Sequence, residues 1–107
     1  MRIDRVQYIH NAMFEWDSKK ADSNEGKHGV SFEEASKAFF DPRGLDGEDL
    51  SHSAKEERRY RLAQSVAGNL LVIVCTIRSR GHEKTIRLIS ARPANRKEKK
   101  RYQKAED

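Results

Sequence analysis

In 107 residues the sequence holds one cysteine, two prolines and no extended apolar run. The lone Cys75 excludes an internal disulfide and any cysteine-rich zinc site. Its longest apolar run, Leu70 to Cys75, falls far short of the about 20 residues that a helical membrane span requires. No apolar stretch follows the charges of the N-terminus, so no secretory signal is expected, and the setting is read as cytoplasmic. There is no phosphate-cradling glycine loop and no dinucleotide fingerprint. His10, His28, His52 and His82 lack the short spacing that puts two metal ligands on one helix face. Serine, histidine and aspartate occur, but in no nucleophile-elbow context. The expectation is a protein without metal or cofactor.

The basic charge is not evenly spread. Net charge is +5, yet residues 1–77 hold 11 basic and 13 acidic side chains, and residues 78–107 hold 11 and 4. Such asymmetry points to a polyanion, nucleic acid before an acidic protein, because every neutralised phosphate releases condensed counterions. Its plain alternative is a solvated basic helix. The length fits a single domain, residues 1–107, that buries roughly two-thirds of its unfolded surface.

Cap and turn residues divide the chain. Phe14-Glu15-Trp16 forms a short strand, and Asp17 caps a helix over 18–28 that Gly29 closes. Ser31 and Glu34 form a capping box, with Val30 and Ala35 in the staple positions. The second helix has an apolar face of Phe32, Ala35, Ala38 and Phe39, and Asp41-Pro42 stops it. Residues 43–57 read as an exposed connection. Tyr60 and Leu62 alternate with arginines in a strand, and Gly68-Asn69 fits a tight turn. Leu70 to Ile77 is a central strand, residues 78–82 a second turn, and Thr85 to Ala91 a third strand. In that last strand Ile86 and Leu88 share one face, Ile89 and Ala91 the other. Asn95 and Glu98 open a charged helix over 96–105, with Tyr102 its only large apolar contact. The fold class is α+β, a small antiparallel sheet (a three-stranded meander plus an N-terminal strand) with two helices after the first strand and a C-terminal basic helix.

Basic residues and a few proton-transfer groups are what this chain has for chemistry, and RNA cleavage needs little more. The ribose 2′-OH attacks the adjacent phosphorus, a base takes its proton, an acid protonates the leaving 5′-oxygen, and fixed cations stabilise the phosphorane. Lys27, His28, Glu57, Arg78, Arg92 and Tyr102 meet these requirements by residue type. Each has a structural alternative. Lys27 and His28 suit the C-terminal end of a helix dipole, and Arg78 and Arg80 suit a solvated turn. Arg92, directly after the last strand, projects over the sheet edge. Trp16 and Cys75 read as core.

Several segments occur together in a familiar order. They are Phe14-Glu15-Trp16-Asp17, Lys27-His28-Gly29-Val30-Ser31-Phe32-Glu33-Glu34-Ala35, Asp41-Pro42, Thr76-Ile77-Arg78, Ile89-Ser90-Ala91-Arg92-Pro93-Ala94, and the ending Arg96-Lys97-Glu98 through Tyr102. Jointly they make the chain resemble the BrnT family of bacterial toxins from type II toxin–antitoxin systems over residues 14–103. The resemblance implies a RelE-like fold, metal-independent endoribonuclease activity that blocks translation, and neutralisation by a BrnA-like ribbon-helix-helix antitoxin that also binds operator DNA. It carries over Lys27, His28, Arg78 and Arg92 as the catalytic set. The chemistry then assigns His28 to proton transfer, Lys27 and Arg92 to phosphate stabilisation, and Arg78 to RNA positioning. Arg80, Arg96, Lys97, Lys100 and Tyr102 are the expected RNA contacts. Residues 1–12 precede the family's usual start and form an N-terminal extension. The alternative function is a non-catalytic module that binds nucleic acid or antitoxin, such as a degenerate toxin kept as a co-repressor.

Overall fold

Three helices start where their caps place them. The computed structural model describes residues 3–10, 12–48 and 58–105, with backbone alone at Glu48 and Arg80. Helix α1 (Ser18–His28) opens on Asp17, whose carboxylate accepts from the Lys19 N–H at 2.9 Å, and closes on Gly29 at φ 69°. That left-handed conformation suits glycine. Helix α2 (Phe32–Ala38) opens on Ser31, whose Oγ accepts from the Glu34 N–H. The expected reciprocal bond is missing. Glu34 instead accepts from Ser65 Oγ at 2.8 Å and Asn69 Nδ2 at 2.9 Å, donors that the 65–69 turn brings to it. Helix α3 (Arg96–Lys104) has both halves of its capping box, between Asn95 and Glu98.

Six strands form one sheet: β1 (Arg5–Ile9), β2 (Ala12–Trp16), β3 (Leu45–Glu48), β4 (Arg59–Gln64), β5 (Leu70–Arg80) and β6 (Glu83–Pro93), in the order β1-β2-β6-β5-β4-β3. The antiparallel meander β4-β5-β6 is present, but the sheet is mixed. Strand β2 lies parallel to β6, with Phe14 opposite Ile86. A parallel pair needs a long crossover, and here everything from α1 to β5 supplies it. Strand β3 occupies part of the segment expected to be an exposed connection; residues 49–57 lie outside the described residues. The expected N-terminal extension supplies β1, antiparallel to β2. Before it, the Asp4 carboxylate accepts from the N–H and Oγ of Ser18 at the start of α1. The turn expected over 78–82 shrinks to Gly81-His82, and Gly81 takes φ 61° as a two-residue hairpin opening on glycine requires. Arg78 is therefore a strand residue.

One irregularity positions the site. Between β5 and β6 the register slips, so that Val74 faces Ser90 while Cys75 faces Leu88. Ile89 is the extra residue of a β-bulge. Alternation resumes out of phase beyond it. Ala91 joins Ile86 and Leu88 on the core face instead of the opposite face, and Arg92 emerges on the other side.

The two faces differ. Under α1 and α2 lies the main core, with Phe14, Phe32, Leu71 and Ile73 at 0 % exposure. Trp16 is buried there and meets Phe32 edge-on, with ring centroids 5.9 Å apart. On the reverse face, among the described residues, α3 alone lies over the sheet, where Tyr102 packs with Leu62, Val72 and Ala94. Val6 and Tyr8 on the edge strand β1 remain exposed.

Candidate nucleic-acid interface

Arg92 reaches the α3 side of the sheet, opposite Val72. Its guanidinium donates to both oxygens of Glu98, each bond 2.8 Å, while Glu98 keeps its capping bond from the Asn95 N–H. The bidentate bond and charge of Glu98 raise the Arg92 pKa. Arg92, in turn, holds the Glu98 carboxyl below its ordinary value against the opposing effect of burial. A cleft of about 430 Å³ lies between α3 and the sheet, and Tyr60, Val72, Arg92, Glu98 and Arg101 line it. Arg101 stacks 5.6 Å from the centre of the Tyr60 ring and donates to its hydroxyl at 2.5 Å.

Residues on the same short elements open onto a second cleft, of about 520 Å³, on the other flank of α3. Here the end of α1 supplies His28, the turn before β5 supplies Asn69, and α3 supplies Lys99 and Gln103. Asn24 fixes this end of α1 to β6. It is buried, donates from Nδ2 to the carbonyls of Ala91 (2.8 Å) and Val30 (3.2 Å), and accepts from the Ala91 N–H (3.1 Å). Past Leu88 strand β2 no longer pairs with β6, so this side chain satisfies backbone groups that a neighbouring strand would otherwise bond.

Between the clefts, Tyr102 points inward. Its hydroxyl donates to Asp41 Oδ2 at 2.5 Å, and the same carboxylate accepts from the N–H of Gln64 and of Arg43. Burial pushes the Asp41 carboxyl up, but these three bonds and the Arg61 charge outweigh it and hold the carboxyl below its ordinary value.

Of the residues expected to act together, the structure joins some and separates others. Arg92 lines the first cleft and His28 the second. Lys27 is exposed at the end of α1 and lines neither. Arg78 shares the Arg92 face but sits, by strand rise, roughly 20 Å along β5 from Val72. Arg96, Lys97 and Lys100 are exposed on α3. Tyr102, expected to contact RNA, is only 6 % exposed and anchors the helix instead. Glu57 and the Arg80 side chain lie outside the described residues. Sequence reasoning missed Tyr60, Arg101 and Asn24, and took Glu98 for a cap alone. The available signal was the i, i+3 spacing of Glu98 and Arg101, which puts both on one helix flank. Burial pushes the Cys75 thiol up to about 12, consistent with an inert core residue. Among the described residues no three His, Cys, Asp or Glu side chains are grouped to hold a metal ion. Nor, among those residues, is any helix long and apolar enough to cross a membrane.

A mixed sheet with two helices on one face, and a basic helix over the other, defines the class: a small α+β protein. The crystal structure of the Brucella abortus ribonuclease toxin BrnT matches it with a TM-score of 0.51 at 18% identity, covering 76% of this chain and 94% of that one. Among curated proteins, none matches. The family described as "Ribonuclease toxin, BrnT, of type II toxin-antitoxin system" matches residues 16–98, and the chain belongs to that family. Strand β1 and the second half of α3, including Lys99, Arg101 and Gln103, fall outside the matched span.

Proposed function

We propose that this chain is a metal-independent endoribonuclease that blocks translation in the cytoplasm, the whole chain acting as one RelE-like toxin domain. The observation that carries the reading is the Arg92–Glu98 pair facing the Arg101–Tyr60 pair across one cleft, in a member of a ribonuclease toxin family. An RNA phosphate entering there meets two guanidiniums, whose planar forks match its oxygens. As the 2′-oxygen bonds to phosphorus, its proton passes to the Glu98 carboxylate. Arg92, released from Glu98 by that protonation, turns to the phosphorane oxygens, where charge is now developing. The P–O5′ bond breaks and the Tyr60 hydroxyl gives its proton to the 5′-oxygen, leaving a 2′,3′-cyclic phosphate and a 5′-hydroxyl. Lys27, Arg78, Arg96, Lys97 and Lys100 hold flanking phosphates. His28, assigned to proton transfer from its motif, opens onto the other cleft and serves RNA binding in this reading.

Neutralisation follows from the same surface. A BrnA-like ribbon-helix-helix antitoxin with an acidic surface covers α3 and the Arg92 cleft, and links the toxin to operator DNA only through itself. Expression of the wild-type chain is expected to arrest growth and fragment messenger RNA, and purified protein to cut RNA in the presence of a chelator. Arg92→Ala relieves both effects while circular dichroism stays unchanged. Cleavage that survives Arg92→Ala combined with Tyr60→Phe overturns the mechanism. Salt-sensitive RNA binding without cleavage by the wild type favours the non-catalytic module.

A further inference from the structure

We propose that the second cleft, on the His28 side of α3, is a nucleotide pocket that receives a residue of the RNA near the one cut, and so selects where cutting occurs. This rests on the ribonuclease reading above. Three elements divide their consecutive residues between the two clefts. On β6, Arg92 lines the first and Pro93 the second; on β5, Val72 lines the first and Leu71 the second. On α3, Glu98 and Arg101 face one way, Lys99 and Gln103 the other. Consecutive strand residues project to opposite faces, so the two clefts lie on either flank of α3, and an RNA held at Arg92 reaches the second over the exposed outer side of that helix, where Arg96 and Lys100 stand.

The lining has the chemistry of a nucleotide site. Leu70, Leu71 and Pro93 offer an apolar wall for a base. Lys99 stands at the cleft with His28 opposite, and both are exposed, so a phosphate finds donors on two sides. The side-chain amide of Gln103, one turn beyond Lys99, makes no hydrogen bond among the described residues, which leaves its donor and acceptor for a base edge. Asn69 spends an amide N–H on Glu34 at 2.9 Å and keeps its carbonyl oxygen, fixed in orientation by that bond. The volume, about 520 Å³, is within the range of small-molecule sites. Bases differ in their donor and acceptor edges, so the oriented amide of Asn69, with the free amide of Gln103, discriminates among them.

Titration of the full chain with each of the four ribonucleoside 5′-monophosphates, and with inorganic phosphate, followed by backbone and side-chain amide NMR, tests the pocket directly. The expected result is a set of shifts confined to His28, Asn69, Lys99 and Gln103, larger for one base than for the others. The double variant Lys99→Ala with Gln103→Ala should weaken nucleotide binding at least tenfold and flatten the cut-site preference on a random RNA. Shifts confined to Arg92, Tyr60 and Arg101, equal shifts with phosphate alone, or an unchanged cut-site preference in the double variant would each overturn the pocket. If the wild type binds a nucleotide at His28 and Gln103 but cuts no RNA, the ribonuclease reading fails and the pocket stands.

Discussion

The two faces of the sheet are held by different forces. Under α1 and α2 the contacts are apolar and closed: Phe14, Phe32, Ala35 and Ile73 are fully buried. Over the other face α3 is held by one buried aromatic, Tyr102, and by polar ties, Arg92 to Glu98, Arg101 to Tyr60 and Tyr102 to Asp41. Apolar burial has no second use. The polar ties do, because the groups that hold α3 down are the groups an RNA phosphate would engage. One face can be optimised for stability alone, whereas the other has to release what it holds.

The sharpest separation of the faces comes from truncating Phe14. Phe14→Ala removes a ring that meets Phe39 and Phe40 edge-on, and should cost about 3–5 kcal/mol in urea unfolding. Asn24→Ala comes next, at about 2–3 kcal/mol, because it strands the buried N–H and carbonyl of Ala91. Its amide exchange should speed up at Ala91 and Val30 before the rest of the sheet opens. A smaller effect is expected on the α3 side: Tyr102→Phe should lose about 1.5 kcal/mol through the missing bond to Asp41. Asp41 and Glu98 both have folded values below their ordinary 3.8 and 4.5, so their contribution is fully present above those values. It is lost as pH falls through the folded values. Acid should therefore loosen α3 while the Phe14 side keeps its packing, seen as early exchange of the amides of residues 96–104. Smallest of all, Lys97→Ala on the exposed outer side of α3 should leave the unfolding midpoint unchanged. It should lower the slope of log K for RNA against log salt by about 1. A loss of stability there would mean that α3 is held on more sides than its ties indicate.

Legibility follows the range of the interactions involved. Caps act over three or four residues, so Asp17, Ser31 and Asn95 announced their helices. Hairpin strands carry their turn signals with them, so β4, β5 and β6 were readable at Gly68 and Gly81. The pairing of β2 with β6 joins Phe14 to Ile86, and nothing local encodes it. Strand β3, Leu-Asp-Gly-Glu, lies at the sheet edge and lacks the apolar alternation of a buried strand. At the site, Arg92 was legible as a cation at the end of a strand, although β6 runs past it to Pro93. Asn24 was not, because a polar residue within a charged helix looks solvated until β6 is brought against it. Tyr60 and Arg101 are 41 positions apart, and only the fold stacks them.

Strand alternation is a matter of odd and even, and Ile89 is the residue that changes the count. Upstream, even-numbered positions 86 and 88 face the core; downstream, an odd one, 91, does. The faces of Ala91 and Arg92 are therefore set by the β5 residues they pair with, Ile73 and Val72, and not by their place in the count along β6. Exchange of Ile89 for another aliphatic residue leaves the pairing alone, and deleting it would close the ladder to plain alternation, with Ala91 still in the core and Arg92 still on the α3 side. What the extra residue adds is a local bend and stronger twist in β6, so its loss is expected to re-aim the Arg92 guanidinium within the cleft and not to bury it.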